Sequence, residues 1–102
     1  MTVHKVLKRA KALIKSARNW TTGTFARNED GQAVSVKDVA ACQFCAIGAV
    51  RYICLDKSYL AYKVEDFLEY ISHDMVANIN DRQGHAAVMD LFDKAIELSK
   101  DK

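Results

Sequence analysis

The sequence predicts a mainly α-helical, compact four-helix domain with a buried central helix and a small β-hairpin after the first helix. Three observations indicate this fold class. The 102 residues contain no proline and only four glycines, so little interrupts a helix. Apolar residues recur at helical spacing in several segments. One Asp-Gly pair lies between short strand-like runs. The length corresponds to one domain, and we treat residues 1–102 as a single helical domain.

The first predicted helix covers residues 3–19 and is amphipathic, with Thr2 as its N-cap. Asp30 and Gly31 then mark the turn of a short hairpin over about residues 22–34. A two-stranded ribbon is marginal alone, so we expect Trp20 and Phe25 to pack it on the helices.

The second predicted helix, residues 39–55, is apolar almost all round and is therefore expected to be packed on every side. A variant of the capping box, from Ser35 to Asp38, precedes it. Gly48 lies mid-helix, where glycine costs about 1 kcal/mol relative to alanine. We expect close approach of neighbouring helices to be the reason for it.

Ser58 is the expected cap of the third helix, whose apolar stripe runs from Leu60 to Ile71. Residues 73–79 are interpreted as a short helix or turn, and a polar connection follows at residues 78–85. The last helix is predicted over residues 86–100.

Charge is distributed unevenly along the chain. Residues 1–28 contain seven Lys and Arg and no acidic residue, whereas residues 56–102 contain ten acidic and six basic residues. The two regions can neutralise each other within the fold, or the basic one can bind an external anion. The alternative function is therefore nucleic-acid or small anionic ligand binding through Lys8, Lys11, Lys15, Arg18 and Arg27.

Cys42 and Cys45 form a CxxC pair, the spacing used by redox and zinc sites. The pair lies in an apolar run, and no second pair at zinc-finger spacing accompanies it. We interpret the three cysteines as small buried hydrophobic residues and expect no metal ion and no cofactor. An odd number of cysteines and the lack of a secretory signal indicate a cytoplasmic protein with free thiols. No apolar run is long enough to span a bilayer, and we expect no membrane association.

The outer face of the third helix carries a composition typical of protein interfaces, where tyrosine is enriched. The residues of this tyrosine face are Tyr59, Tyr62, Lys63, Asp66 and Tyr70. The alternative is that two of the tyrosines cover the hairpin or the first helix.

Three motifs together resemble a family of small bacterial and bacteriophage proteins of unknown function. They are Trp20-Thr-Thr-Gly with the later Ala26-Arg27, then Cys45-Ala-Ile-Gly48-Ala49, then Asn80-Asp81 with His85 before the last helix. The resemblance spans about residues 7–98 and implies no catalytic residues. It draws attention to loop residues, where function concentrates. A structural role is also available, in which Asn80 and Asp81 cap the last two helices and Arg27 pairs with Asp81 or a helix C-terminus.

We expect a non-enzymatic interaction protein, of phage origin, that binds and modulates a host protein through the tyrosine face. An inhibitor of a defence or nucleic-acid-processing system is the concrete version, and a homo-oligomer stays open. The third possibility is a small enzyme around Arg27, Asn80, Asp81 and His85, which requires these side chains to meet at a cleft.

Overall fold

A computed structural model describes residues 1–101 of the chain. Helix α1 spans Val3–Ile14, and the Thr2 hydroxyl caps it by accepting a hydrogen bond from the Lys5 amide at 3.2 Å, as expected. The helix ends earlier than predicted, because the backbone of Ser16 is extended. A short 3₁₀ turn, Ala17–Asn19, follows it.

A small antiparallel pair of strands follows α1, as expected, but the second strand is not the one predicted. Strand β1 is Ala26–Arg27 and strand β2 is Gln43–Phe44. The turn at Asp30 and Gly31 does form, closed by an isolated bridge between Arg27 and Ala33. Strand β1 nevertheless pairs with β2 and not with the residues directly after this turn. The loop between the turn and β2 folds back, and the Cys42 amide donates a hydrogen bond to the Arg27 carbonyl at 2.9 Å.

The prediction of a helix beginning at Val39 is wrong for residues 39–45. The side chains of Ser35 and Asp38 bond to amides two residues ahead, so they close turns and do not start a helix. Val39 is fully exposed at 104%, and the chain then enters β2.

Helix α2 spans Ala46–Cys54, with the extended Cys45 as its N-cap. One side of α2 is buried, but Tyr52 is 38% exposed, so the helix is not packed on every side as predicted. Gly48 permits a close approach, though of a loop and not of a helix. A β-carbon there would overlap the carbonyl group of Phe25.

Helix α3 spans Ser58–Ser72, but Lys57 holds its N-cap position, and no side chain caps it. The predicted Ser58 cap is therefore wrong. After the left-handed His73 come the short helix α4, Val76–Asn78, and a π-helical turn, Ile79–Gln83, where the sequence predicted a polar connection.

Helix α5 spans His85–Leu98 and packs against both α1 and α3, while α2 packs between α1 and α3. Its N-cap is Gly84, at φ +93°, a backbone conformation that favours glycine. His4 in α1 and Ser99 after α5 are hydrogen-bonded at 3.0 Å, which joins the two ends of the chain. Within residues 1–101 the structure thus has five α-helices, where four were predicted, together with a 3₁₀ turn, a π-helical turn and one pair of strands. No helix in this range has both the length and the apolar character needed to cross a bilayer.

Candidate functional site

Asn80 is almost fully buried and uses its whole hydrogen-bonding capacity. Its Oδ1 accepts from Trp20 Nε1 at 2.7 Å and from the Ala46 amide at 3.0 Å. Its Nδ2 donates to the Thr21 carbonyl at 3.0 Å and to Asp81 Oδ1 at 2.9 Å. A neutral amide group has two donors and two acceptor sites, so no part of Asn80 is left for a substrate.

These bonds explain why the loop that follows α1, the start of α2 and the π-helical turn meet at one place. The Ala46 amide is one of the unpaired donors of the first turn of α2, and Asn80 satisfies it from a distant part of the chain. The expectation that Asn80 caps one of the last two helices is therefore wrong.

Asp81 and Arg27 hold the loop that follows α1. Asp81 Oδ1 accepts from the Gly23 amide at 3.2 Å. Arg27 donates to the Thr21 hydroxyl at 2.9 Å and to the carbonyls of Thr22 and Gly31, at 3.1 and 2.9 Å. Arg27 therefore bonds within its own loop, and the expected pairing with Asp81 or a helix C-terminus is wrong.

His85 contacts both Trp20 and the end of α1. Its Nε2 is 2.7 Å from the carbonyl of Ile14, the last residue of α1, and must carry the proton because a carbonyl can only accept. Its ring meets the indole edge to face, with centroids 5.4 Å apart. His85 therefore caps the C-terminal end of α1.

A cleft of about 330 Å³ lies beside this network. Its walls are residues 23–25 of the loop, Cys45 and Ile47 at the start of α2, and Ala77, Asn80 and Asp81. Burial raises the pKa of the Cys45 thiol, and its sulfur accepts a hydrogen bond from the Gly48 amide at 3.2 Å. The thiol is thus neutral at physiological pH and caps α2, which is a structural role.

The four residues of the enzyme hypothesis are therefore linked through one hydrogen-bonded region, but two lie outside the cleft wall. Arg27 and His85 do not line it, and Asn80 is fully used by protein partners. These contacts favour the structural interpretation of all four residues. Cys42 donates to the Arg27 carbonyl at 3.6 Å, and within residues 1–101 no three His, Cys, Asp or Glu side chains are grouped to hold a metal ion.

The tyrosine face is open to solvent along the whole of α3. Tyr59 is 71% exposed, Tyr62 56% and Tyr70 77%, and Lys63 and Asp66 are exposed between them. The alternative, that two of these tyrosines cover the hairpin or the first helix, is wrong.

One edge of the tyrosine face is held by Arg51 of α2. Its guanidinium carbon lies 4.6 Å from the centroid of the Phe25 ring and 5.7 Å from that of Tyr62. The guanidinium also donates to both carboxylate oxygens of Glu65, at 3.2 and 3.3 Å. A fork-shaped contact of this kind fixes the orientation of the plane on which the rings stack.

DUF6197, a family of unknown function, matches residues 1–98. The chain belongs to the DUF6197 family. No curated protein and no solved structure matches it. The prediction of an uncharacterised family is thus confirmed.

The basic residues of this DUF6197 protein do not form one free surface. Lys8, Lys15 and Arg18 are exposed. Lys11 forms an ion pair with Asp93 of α5, and Arg27 is bound within its loop. Part of the basic segment is thus neutralised inside the fold, which leaves three of the five predicted anion-binding residues available.

Sequence reasoning on this DUF6197 chain missed the part played by Phe25, Arg51 and Glu65 in the tyrosine face. Phe25 is expected to pack the hairpin on the helices, and its ring does stack on Arg51 of α2, but it stays 46% exposed. Gln43 and Arg51 are the two polar residues that interrupt the apolar segment over residues 39–55. A lone cation there could have prompted a search for its carboxylate.

Proposed function

We propose that this protein is a non-enzymatic interaction protein that binds a protein partner through the tyrosine face of α3. The observation that carries the proposal is the exposure of Tyr59, Tyr62 and Tyr70 on one side of a helix. Tyr59 and Tyr70 are separated by eleven residues, or about 16 Å along the helix axis. That length suits a small protein surface better than a single small ligand.

The chemistry of the face also supports a protein partner. Tyrosine buries a large apolar area, offers a hydroxyl and loses little conformational entropy on binding. Tyrosine and arginine dominate the binding energy of interfaces. Here Arg51 is already held by Glu65 and stacks on Tyr62, so part of the face is ordered before a partner arrives.

None of the three exposed tyrosines contributes to the core, so the face can be tested without unfolding the protein. The experiment is affinity capture from the native host with three baits: the wild type, a Tyr59→Ala/Tyr70→Ala variant, and a Lys8→Glu/Lys15→Glu variant. The lysine variant is the matched control, since it changes two exposed residues away from α3, one within α1 and one directly after it.

We expect captured proteins to be lost with the tyrosine variant and kept with the lysine variant. The proposal fails if the tyrosine variant captures the same proteins as the wild type. Captured nucleic acid that is lost only with the lysine variant and released steeply by salt would instead support anion binding.

A further inference from the structure

The exposed surface of α3 contains a seam with the spacing of a coiled coil. Tyr59, Lys63, Asp66 and Tyr70 follow one another at intervals of four, three and four residues. Such intervals place side chains in one line facing a neighbouring helix. All four side chains are exposed, and Tyr62 lies at the edge of the line towards Arg51. The seam is unoccupied by the protein's own helices.

The seam is symmetric about its own midpoint, which lies between Val64 and Glu65. Tyr59 lies five residues before Val64, and Tyr70 five residues after Glu65. Lys63 and Asp66 are the residues directly outside this central pair. Reversing the chain direction therefore places tyrosine on tyrosine and exchanges the positive charge for the negative one.

A pattern of this kind is complementary to itself in antiparallel orientation. A two-fold axis through the midpoint would place Tyr59 against the partner's Tyr70 and Lys63 against the partner's Asp66. Each contact then occurs twice, as in every interface with two-fold symmetry. A parallel arrangement would instead set each charge against the same charge, which is unfavourable.

We propose that the tyrosine face of α3 binds a second copy of this chain, with the two α3 helices antiparallel. This inference rests on the proposed function, because it names the occupant of the same surface. The two aromatic contacts supply apolar burial, and the two Lys–Asp contacts set the orientation and register.

One helix face is smaller than the surface of about 800 Å² per partner that stable complexes bury. The dimer is therefore weak, with a dissociation constant in the micromolar range or above, and the dimeric fraction depends on protein concentration.

Sedimentation velocity over a series of protein concentrations tests the proposal. The wild type should shift towards the dimer as its concentration rises. Lys63→Glu and Asp66→Lys should each weaken the dimer at least about tenfold, because each sets like charges against each other twice. An equimolar mixture of the two variants should dimerise again, since both contacts then join opposite charges. The double variant Lys63→Glu/Asp66→Lys should dimerise for the same reason.

Lys94→Glu is the matched control. Lys94 is exposed on α5 and lies four residues after the exposed Asp90, so its reversal also removes a local attraction within one helix. It should leave dimerisation unchanged, and circular dichroism should show that every variant stays folded.

The proposal is overturned if the wild type remains monomeric, if single reversals leave the dimer unchanged, or if the mixture does not restore it. The proposed function fails separately. A monomeric wild type that captures a protein through Tyr59 and Tyr70 would refute self-pairing and retain the tyrosine face as a binding surface. If neither pairing nor capture depends on these tyrosines, both proposals fail.

Discussion

Replacing Gly48 with alanine tests whether the loop after α1 crosses α2 as closely as the structure shows. Gly48 is the third residue of α2, and helix propensity alone predicts that alanine there stabilises the helix by up to about 1 kcal/mol. The structure predicts the opposite sign. A β-carbon on Gly48 would overlap the Phe25 carbonyl oxygen and lie 2.8 Å from its carbonyl carbon and 3.2 Å from its α-carbon.

The obstacle is backbone, so a side-chain rotation cannot remove it. The Phe25 carbonyl also accepts a hydrogen bond from the Cys45 amide at 3.2 Å, and moving it would weaken the start of α2. Overpacking of this type costs about 1–3 kcal/mol, and occasionally more. With the backbone as the obstacle, we expect Gly48→Ala to lower the free energy of unfolding by about 2 kcal/mol. That loss lowers Tm by about 10 °C in a chain of this size.

Urea denaturation, followed by circular dichroism and by the fluorescence of the single tryptophan, Trp20, measures this change. Ala12→Gly is the control, because Ala12 is exposed inside α1 and reports helix propensity alone, with an expected loss of about 1 kcal/mol. If Gly48→Ala is as stable as the wild type or more stable, the close crossing of Phe25 over α2 is wrong.

Three further predictions concern the network, the thiol and the surface charges. Asn80→Ala leaves at least three polar groups without their partner, and at about 1–3 kcal/mol each we expect a loss of about 3 kcal/mol or more in urea denaturation. Gln83→Ala on the same turn is exposed and should change stability by less than about 0.5 kcal/mol; equal losses would contradict the central role of Asn80. Burial raises the pKa of Cys45, so its contribution to stability is complete at neutral pH and is lost as the pH rises through that raised pKa. Cys45→Ser keeps a cap on α2 and should reduce this alkaline loss, and an unchanged alkaline profile would argue against burial of the thiol. Lys11→Ala removes an ion pair with a half-exposed carboxylate and should cost less than about 1 kcal/mol, and less still at high salt.

Hydrophobic periodicity predicted those helices whose two sides differ. In α1, α3 and α5 an apolar stripe alternates with charged residues, and each helix appears close to its expected place. The prediction failed where the run is apolar on all sides. Between Val39 and Phe44 nothing in the local pattern distinguishes a helix from a strand, and pairing with the distant β1 decides the outcome.

The residues of the hydrogen-bond network around Asn80 could be recognised in the sequence, but their partners could not. The spacing of Trp20, Asn80 and His85 along the chain gives no indication that an amide would meet an indole and the first amide of α2. The exposure of the tyrosines, in contrast, was predicted correctly, because helical geometry alone separates Tyr59 and Tyr70 from the apolar stripe of α3.

The residues of the Asn80 network and the exposed tyrosines have separate roles, and this separation makes the functional proposals testable. The hydrogen bonds of Asn80, Arg27 and His85 join the loop after α1, the π-helical turn and the helix ends. Substituting these residues should therefore change the free energy of unfolding before it changes binding. Tyr59 and Tyr70 make no such contribution, and replacing exposed side chains changes stability by about 0.5 kcal/mol at most. A loss of binding in tyrosine variants that keep wild-type stability would therefore report on recognition. A large loss of stability in those variants would show that α3 has a structural role on its outer side, and would remove the physical basis for assigning that side to a partner.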